Sequence, residues 1–191
     1  MESNKNNNPK LNLIQKMKST QFIKTGNFTL KSGMSSNFYV DIKSLFSNPE
    51  IMEALSTEIY LIIDDLIKRE QLNKNEIVIC GLPYAGIPFA SYISLRYKIP
   101  MILLRKEQKK YGTKKMIEGS LNDKKHIILI DDILTTGISI LESLEHLREY
   151  NIPTSGIVII DREENGGKGA VFKRLNSIDS VFKLSEFTKT I

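Results

Sequence analysis

The feature that most constrains the fold is an alternation between short, wholly apolar runs and longer segments with helical periodicity. The apolar runs lie at residues 77–80, 101–104, 127–130 and 157–160, and a weaker run lies at 181–184. Strands without a polar face are buried on both sides, as in parallel sheets that are covered by helices. The sequence therefore predicts an α/β fold with a central, mostly parallel sheet flanked by helices.

Helix signals fill the intervals between these runs. The triplet NPE, which begins at Asn48, places a capping residue, a proline and an acid in the order found at helix starts. Behind it, apolar residues recur at helical spacing as far as Leu66. Two more helices are predicted over about residues 87–97 and 139–150.

The N-terminal region differs from the rest of the chain. Its first ten residues, MESNKNNNPK, are polar and rich in asparagine, which predicts a disordered tail over residues 1–10. The segment GNFTLKSGMSSNFYVDIKS alternates turn residues with short β-prone runs and predicts a small hairpin hood, mainly over residues 20–45. In a chain of 191 residues, a single domain over 11–191 accounts for the remainder.

Composition narrows the class of protein. The net charge of +5 favours anionic partners. The single cysteine, Cys80, excludes a disulfide framework and fits a reducing compartment. No apolar run approaches the roughly 20 residues that a membrane span needs, and the N-terminus lacks the apolar core of a signal peptide. We therefore expect a cytoplasmic protein that does not bind membranes.

The stretch HIILIDDILTTGIS carries the strongest functional signal. Asp131 and Asp132 follow the apolar run 127–130, and ligands of parallel sheets bind beyond the carboxyl ends of the strands. The Thr-Thr-Gly turn then leads into a helix at about Ser139, whose backbone amides favour an anion, and Gly137 allows close backbone approach. A phosphorylated sugar matches this pattern, with its phosphate on the turn and its hydroxyls on the carboxylates. The alternative is that the two aspartates only cap a turn.

Other phosphate-binding motifs do not fit. The pattern G-x-x-x-x-G-K-[ST] is absent, which excludes a P-loop, and ENGGKGA lacks the dinucleotide spacing. In a phosphoacceptor receiver domain the acidic pair comes early, whereas here only about sixty residues follow it. The sequence contains no cluster of histidine and cysteine, so no structural metal is expected.

A second candidate element is a strongly basic segment after the run 101–104. Its composition is typical of a mobile lid that closes over an anionic group, with Gly112 as a hinge. A solvated charge run or a nucleic-acid patch is the alternative. The six cations are Arg105, Lys106, Lys109, Lys110, Lys114 and Lys115.

Several of these segments resemble one enzyme family. IILIDDILTTGIS resembles the phosphoribosyl diphosphate (PRPP) motif of type I phosphoribosyltransferases. FTLKSGMSSNFYVDIK, RKEQKKYGTKKMIEG and IIDREENGG resemble the N-terminal signature, the flexible catalytic loop and the strand-end Asp-Arg-Glu of orotate phosphoribosyltransferases. Order and spacing agree from about residue 11 to 185, and LKSGMSSNFYVD, GLPYAGIP and YGTKK are most similar to the orotate domain of eukaryotic uridine monophosphate synthases.

The resemblance implies a type I phosphoribosyltransferase fold with a small N-terminal hood. It also implies that orotate and PRPP give orotidine 5′-monophosphate and diphosphate, in the de novo synthesis of UMP. Magnesium is the implied cofactor, carried by PRPP near the two aspartates without a direct protein site.

The resemblance assigns site residues by position. The implied catalytic residues are Lys109, Asp131 and Asp132. The implied orotate-binding residues are Lys31, Tyr39, Val40, Thr135 and Arg162. Among them, Arg162 suits the carboxylate and carbonyl oxygens of orotate, because arginine can donate two parallel hydrogen bonds. The implied PRPP-binding residues are Tyr84, Ala85, Arg105, Lys106, Lys109, Tyr111, Asp131, Asp132, Ile133, Leu134, Thr135, Thr136, Gly137, Ile138 and Ser139.

Three positions depart from the family pattern. Tyr111 stands where many bacterial members carry histidine, and tyrosine can donate a hydrogen bond but is not a cation near neutral pH. Ala85 stands where bacterial members often carry a lysine that contacts PRPP, so backbone contacts must replace that lysine. Ile138 stands where threonine or serine is commoner, at little cost if backbone amides bind the phosphate.

The resemblance also implies partners, and two other functions stay open. Family members form homodimers in which each basic loop reaches the neighbour's PRPP, and a separate orotidine 5′-monophosphate decarboxylase is a further expected partner; nucleic acid is not. An enzyme acting on a purine or uracil is one alternative, which Lys31 and Arg162 disfavour. A PRPP-binding regulator without activity is the other, which the complete set of loop cations disfavours.

Overall fold

The computed structural model describes residues 8–29, 33, 35–106, 116–164 and 167–188. Within these ranges the helices are α1 (Pro9–Ser19), α2 (Pro49–Arg69), α3 (Gly86–Tyr97), α4 (Ile138–Leu147), α5 (Gly167–Phe172) and α6 (Ser185–Thr188). The strands are β1 (Ile23–Thr29), β2 (Ser35–Val40), β3 (Ile77–Gly81), β4 (Met101–Leu104), β5 (Ile117–Glu118), β6 (His126–Leu134), β7 (Thr154–Asp161) and β8 (Ile178–Lys183).

The main sheet has six strands in the order β5-β4-β3-β6-β7-β8. All neighbouring pairs are parallel except the short pair β4–β5, which is antiparallel. Every residue of β3 and β7 is buried, as the absence of a polar face in both runs requires. The predicted α/β fold with a mostly parallel central sheet is therefore confirmed.

Helices cover both faces of this sheet and form two hydrophobic cores. Ile77 and Ile79 face the core that contains α1, α2 and α3, whereas Val78 and Cys80 face the core that contains α4 and α5. This alternation follows from the two-residue period of a strand. None of the helices in the described part of the chain is long and apolar enough to cross a membrane.

The helix signals at Asn48 are confirmed. The Asn48 side chain accepts a hydrogen bond from the Ile51 amide at 3.2 Å, and Pro49 is the first helical residue. The second predicted helix is α3. The third is α4, which ends at Leu147 and is followed by a single 3-10 turn, Arg148–Tyr150.

Strand β6 is longer than the sequence suggested. The apolar run 127–130 predicted a strand that ends before the acidic pair, but the parallel ladder with β7 continues through the pairs Asp131–Val158 and Ile133–Ile160. The two aspartates therefore lie inside the last part of the strand, and the prediction that they follow it was wrong. Backbone pairing decides where the strand ends, and side-chain polarity does not report that pairing.

The N-terminal region forms the predicted hood and one unpredicted helix. Strands β1 and β2 pair as an antiparallel hairpin with an irregularity between Thr25 and Phe28. Helix α1 buries only Leu13 and Met17, a pattern too weak to detect by periodicity. Residues 1–7 of the predicted tail lie outside the described ranges, whereas its last two residues belong to α1, which begins at Pro9.

Candidate active site

The turn between β6 and α4 lines a small cleft. Gly137 has a positive φ of 75° and caps α4, and its carbonyl accepts the Leu141 amide at 3.0 Å. The first turn of α4 has no capping side chain and no acidic residue, so its amides remain available for an anion. The cleft has a volume of about 90 Å³ and is lined by Asp131, Ile133, Leu134, Thr135, Thr136, Gly137, Ile138, Ser139 and Ile140.

The two carboxylates beside this cleft are held by backbone amides. Asp131 is 9% exposed, and its Oδ1 accepts the Asp132 amide at 2.9 Å. Oδ1 of Asp132 accepts the Ile133 amide at 3.0 Å. The pKa of Asp131 is raised to about 7, mainly by burial and next by the adjacent charge of Asp132, while the Asp132 amide and Lys43 act in the opposite direction. Asp131 is therefore poised to exchange a proton near neutral pH.

Lys43 is a residue of this site that sequence reasoning missed. It lies in the 3-10 turn Ile42–Ser47, which follows the hood, and its positive charge lowers the pKa of Asp131. The segment that contains it was singled out for its resemblance to the family signature. However, no pattern in the sequence indicated that Lys43 would lie close to Asp131 on β6.

The loop between β3 and α3 is hydrogen-bonded to the middle of β6. The Leu82 amide donates to the Ile130 carbonyl at 2.8 Å, and the Gly86 amide donates to the Leu82 carbonyl at 3.0 Å. Within this loop Tyr84 is 66% exposed whereas Ala85 is buried. Ala85 can therefore offer a ligand little beyond its backbone, as the departure from lysine implied.

The residues that flank the basic segment pair with each other, which the sequence did not predict. The Arg105 amide donates to the Met116 carbonyl at 2.9 Å, and Arg105 Nη1 lies 3.1 Å from Glu118 Oε1 on β5. Lys106 Nζ lies 3.9 Å from the centroid of the Tyr84 ring. Arg105 and Lys106 share a cleft of about 350 Å³ with Ser139 and other residues of α4. Lys109 and Tyr111 lie outside the described residues.

Arg162 connects the end of β7 to the hood. Its amide donates to the Leu134 carbonyl at 3.1 Å. Its Nη2 donates to Ser36 Oγ at 2.6 Å and to the Phe38 carbonyl at 3.3 Å. Its Nε lies 2.8 Å from Glu164 Oε1. Arg162 therefore lies at the expected strand end and also forms an ion pair with a neighbouring glutamate. Ser36 is a second residue that sequence reasoning missed.

The other predicted orotate residues have different environments. Tyr39 is 44% exposed, and its ring centroid lies 5.6 Å from that of Phe28. The Val40 side chain is 5% exposed and belongs to the core, so only its backbone can face a ligand. Lys31 lies outside the described residues.

Together these contacts gather residues from four strand ends. Asp131, Asp132, the β6–α4 turn, Tyr84, Arg105, Lys106 and Arg162 all lie at the carboxyl edge of parallel strands, where such sheets bind ligands. The edge combines carboxylates, an uncapped helix N-terminus and cations. Such a combination suits a ligand that carries both phosphate groups and hydroxyls.

Comparison with known proteins gives a consistent family. Residues 43–182 match the phosphoribosyl transferase domain. The chain is 37% identical over 175 residues to the orotate phosphoribosyltransferase of Pyrococcus horikoshii, which covers 87% of this chain and 90% of that protein. It is also 34% identical over 174 residues to the uridine 5′-monophosphate synthase of Bos taurus, which covers 91% of this chain. The chain spans only 35% of the length of that synthase.

A solved structure supports the same fold. The orotate phosphoribosyltransferase of Aeropyrum pernix superposes with a TM-score of 0.74 at 25% sequence identity, over 93% of this chain and 97% of that one. The fold is therefore the type I phosphoribosyltransferase fold that the motifs implied.

The close packing at Gly86 yields a first prediction. A Cβ at this position would lie 2.0 Å from the Ile130 carbonyl oxygen, so Gly86→Ala must displace either the start of α3 or the middle of β6. We expect it to lower the free energy of unfolding by about 1–3 kcal/mol and to weaken ligand binding at the adjacent loop. Gly169→Ala on α5 is the matched control, because nothing lies within 4 Å of that position. Urea denaturation that finds the two variants equally stable would contradict this packing.

The buried Asp131 yields a second prediction. Its pKa is raised to about 7, so the folded state binds the proton more tightly than the unfolded chain does. The free energy of unfolding should therefore fall as the pH rises from about 4 to about 7. Asp131→Asn should flatten this decline and be a few kcal/mol more stable than the wild type at pH 8, since each tenfold change in proton affinity is worth about 1.4 kcal/mol. Urea denaturation at several pH values measures it, with Asp179→Asn as control; equal slopes would count against the burial argument.

Proposed function

This chain belongs to the phosphoribosyl transferase domain family and, within it, to the orotate phosphoribosyltransferases, and we propose that it transfers the phosphoribosyl group of PRPP to orotate. The products would be orotidine 5′-monophosphate and diphosphate, as a step in pyrimidine synthesis. The observation that carries the proposal is the adjacency of the Asp131–Asp132 pair to the uncapped N-terminus of α4.

PRPP matches the chemistry of the two clefts. Its 5′-phosphate suits the 90 Å³ cleft, because the residues that line this cleft offer backbone amides and threonine hydroxyls. Its vicinal ribose hydroxyls can donate to Asp131 and Asp132 once both are ionised. Its diphosphate suits the neighbouring cleft, beside Arg105 and Lys106.

The residues have distinct tasks in the reaction. The orotate ring nitrogen forms a bond to the anomeric carbon and gives up its proton, while the bond to diphosphate breaks and its electron pair stays on the leaving oxygen. Cations at the leaving group stabilise the charge that develops there, which is the task proposed for Arg105, Lys106 and Lys109. The hood and Arg162 hold the base in line with the anomeric carbon.

We also propose Mg²⁺ as the cofactor. No group of three potential metal-ligating side chains occurs in the described ranges, whereas Mg²⁺ is commonly held by one or two carboxylates together with substrate phosphates. Asp131 and Asp132 fit that arrangement and would hold the ion jointly with PRPP. When bound, the ion would supply positive charge to the diphosphate.

Further proposals concern assembly and location. A homodimer with shared active sites would bring Lys109 of one chain to the PRPP of its neighbour. An orotidine 5′-monophosphate decarboxylase is a further proposed partner, in keeping with the similarity of this chain to a uridine 5′-monophosphate synthase. A cytoplasmic location agrees with the free, buried thiol of Cys80.

A turnover assay tests the proposed function. Purified protein with PRPP, Mg²⁺ and orotate should consume orotate, followed by its absorbance, and uracil or adenine in its place should not react. If adenine or uracil were consumed and orotate were not, the substrate would be that base and the proposed function would be wrong. Binding of PRPP without turnover of any base would favour the regulator.

Substitution of the acidic pair tests where PRPP binds. Asp131→Asn/Asp132→Asn should keep the fold but weaken PRPP binding, because each charged hydrogen bond that is lost costs about 1.5–3 kcal/mol. Titration calorimetry measures the affinity. The matched control is Asp179→Asn on β8, outside the site. Unchanged PRPP affinity in the double variant would reject the role of the pair.

Mixing of inactive variants tests the shared site. Lys109→Ala and Asp131→Asn/Asp132→Asn should each be nearly inactive. After subunit exchange, a heterodimer holds one site with both lesions and one with neither, so random pairing restores up to about a quarter of wild-type activity. If exchange is verified by mass spectrometry and no activity returns, the basic loop serves the site of its own chain.

A further inference from the structure

The hydroxyl of Ser36 lies at the centre of a closed set of hydrogen bonds. It accepts from Arg162 Nη2 at 2.6 Å and from the Phe38 amide at 3.2 Å. It donates to the Phe38 carbonyl at 3.0 Å. A serine hydroxyl has one donor and two acceptor positions, so all of its capacity is used. This arrangement fixes the position of the oxygen that Arg162 contacts.

The same contacts decide which nitrogen of Arg162 can meet a ligand. A guanidinium offers two bidentate edges, and Nη2 belongs to both of them. Here Nη2 uses its two hydrogens on Ser36 and on the Phe38 carbonyl. Nε lies 2.8 Å from Glu164 Oε1 but is not aligned for a hydrogen bond. Nη1 has no partner among the residues that the structure describes, so Arg162 presents a single donor nitrogen and no bidentate edge.

Burial restricts the movement of the Arg162 side chain. The Arg162 side chain is only 4% exposed, and close packing around a buried side chain restricts its rotamers. The bond to Ser36 joins residues 126 positions apart in the sequence. It therefore ties hood strand β2 to the end of β7, on the side of the site where the base is expected.

We propose that Ser36 is a positioning residue for the orotate base. It acts through Arg162, by occupying Nη2 and leaving Nη1 directed as a single hydrogen-bond donor to one oxygen of the base. The inference rests on the proposed orotate activity and adds a specificity residue to it. PRPP binding should not depend on Ser36, because the phosphate cleft is built from the β6–α4 turn.

Replacement of Arg162 cannot test this idea. Arg162→Ala removes the donor to the base and the tie to the hood in one step. Ser36→Ala, in contrast, keeps the guanidinium and its charge but removes one of the two acceptors of Nη2 and so loosens the orientation of the group. Ser36→Thr keeps the hydroxyl, and a β-branched residue is well accepted in a strand.

The experiment compares three variants in the full-length protein. Ser36→Ala should raise the KM for orotate about tenfold, which corresponds to about 1.4 kcal/mol, and leave the KM and calorimetric affinity for PRPP within twofold of the wild type. Ser36→Thr should restore the orotate KM. The control Ser35→Ala, at an exposed neighbouring position of β2, should change neither constant.

The outcomes separate this inference from the proposed function. If the wild type does not use orotate, the proposed function fails. If the wild type uses orotate and Ser36→Ala keeps a normal orotate KM, only the positioning role fails. An equal rise of both KM values, or a threonine variant as impaired as the alanine variant, would show that Ser36 serves the fold and would overturn the inference.

Discussion

The backbone pairing of β6 with β3 on one side and β7 on the other is the constraint on which the site depends. The pairing with β3 ends at Ile130, whereas the pairing with β7 runs past the apolar run and keeps Asp131 within the sheet. The adjacent loops are fastened to the same strand, since the Leu82 amide donates to Ile130 and the Arg162 amide donates to Leu134. One strand therefore places the acidic pair, the β3–α3 loop and Arg162 relative to one another.

The electrostatics of the site follow from that placement. Burial in the sheet makes ionisation of Asp131 unfavourable, and Lys43 partly offsets the cost. The positive end of α4 lies next to the carboxylates, and Arg105 and Lys106 line the neighbouring cleft. The site thus places carboxylates beside helix amides and cations, an order that would match the hydroxyls and phosphates of the proposed substrate. A phosphorylated sugar diphosphate matches this order, and a simple anion would leave the carboxylates without donors.

The sequence predicted those features that local chemistry encodes, and missed those that depend on distant pairing. Apolar runs and the cap at Asn48 were sufficient for the sheet and α2, and the Asp-Asp-turn-helix pattern was sufficient for the cleft. The extension of β6 could not be predicted because backbone ladders leave no side-chain signature there. The Ser36–Arg162 bond and the action of Lys43 on Asp131 depend on contacts between distant segments, and β5, with two residues, is too short for a pattern. The ligand-binding roles of all the site residues, inside and outside the described ranges, stay predictions.

The central claim is that the β6–α4 turn and the acidic pair together bind the phosphoribosyl group. Amide hydrogen exchange with ribose 5-phosphate tests it most directly, because this ligand carries the phosphate and hydroxyls but no diphosphate. We expect slower exchange at the amides of residues 135–140, at the start of α4, and no change in that segment when diphosphate alone is added. Unchanged exchange there at a saturating ribose 5-phosphate concentration would contradict the account.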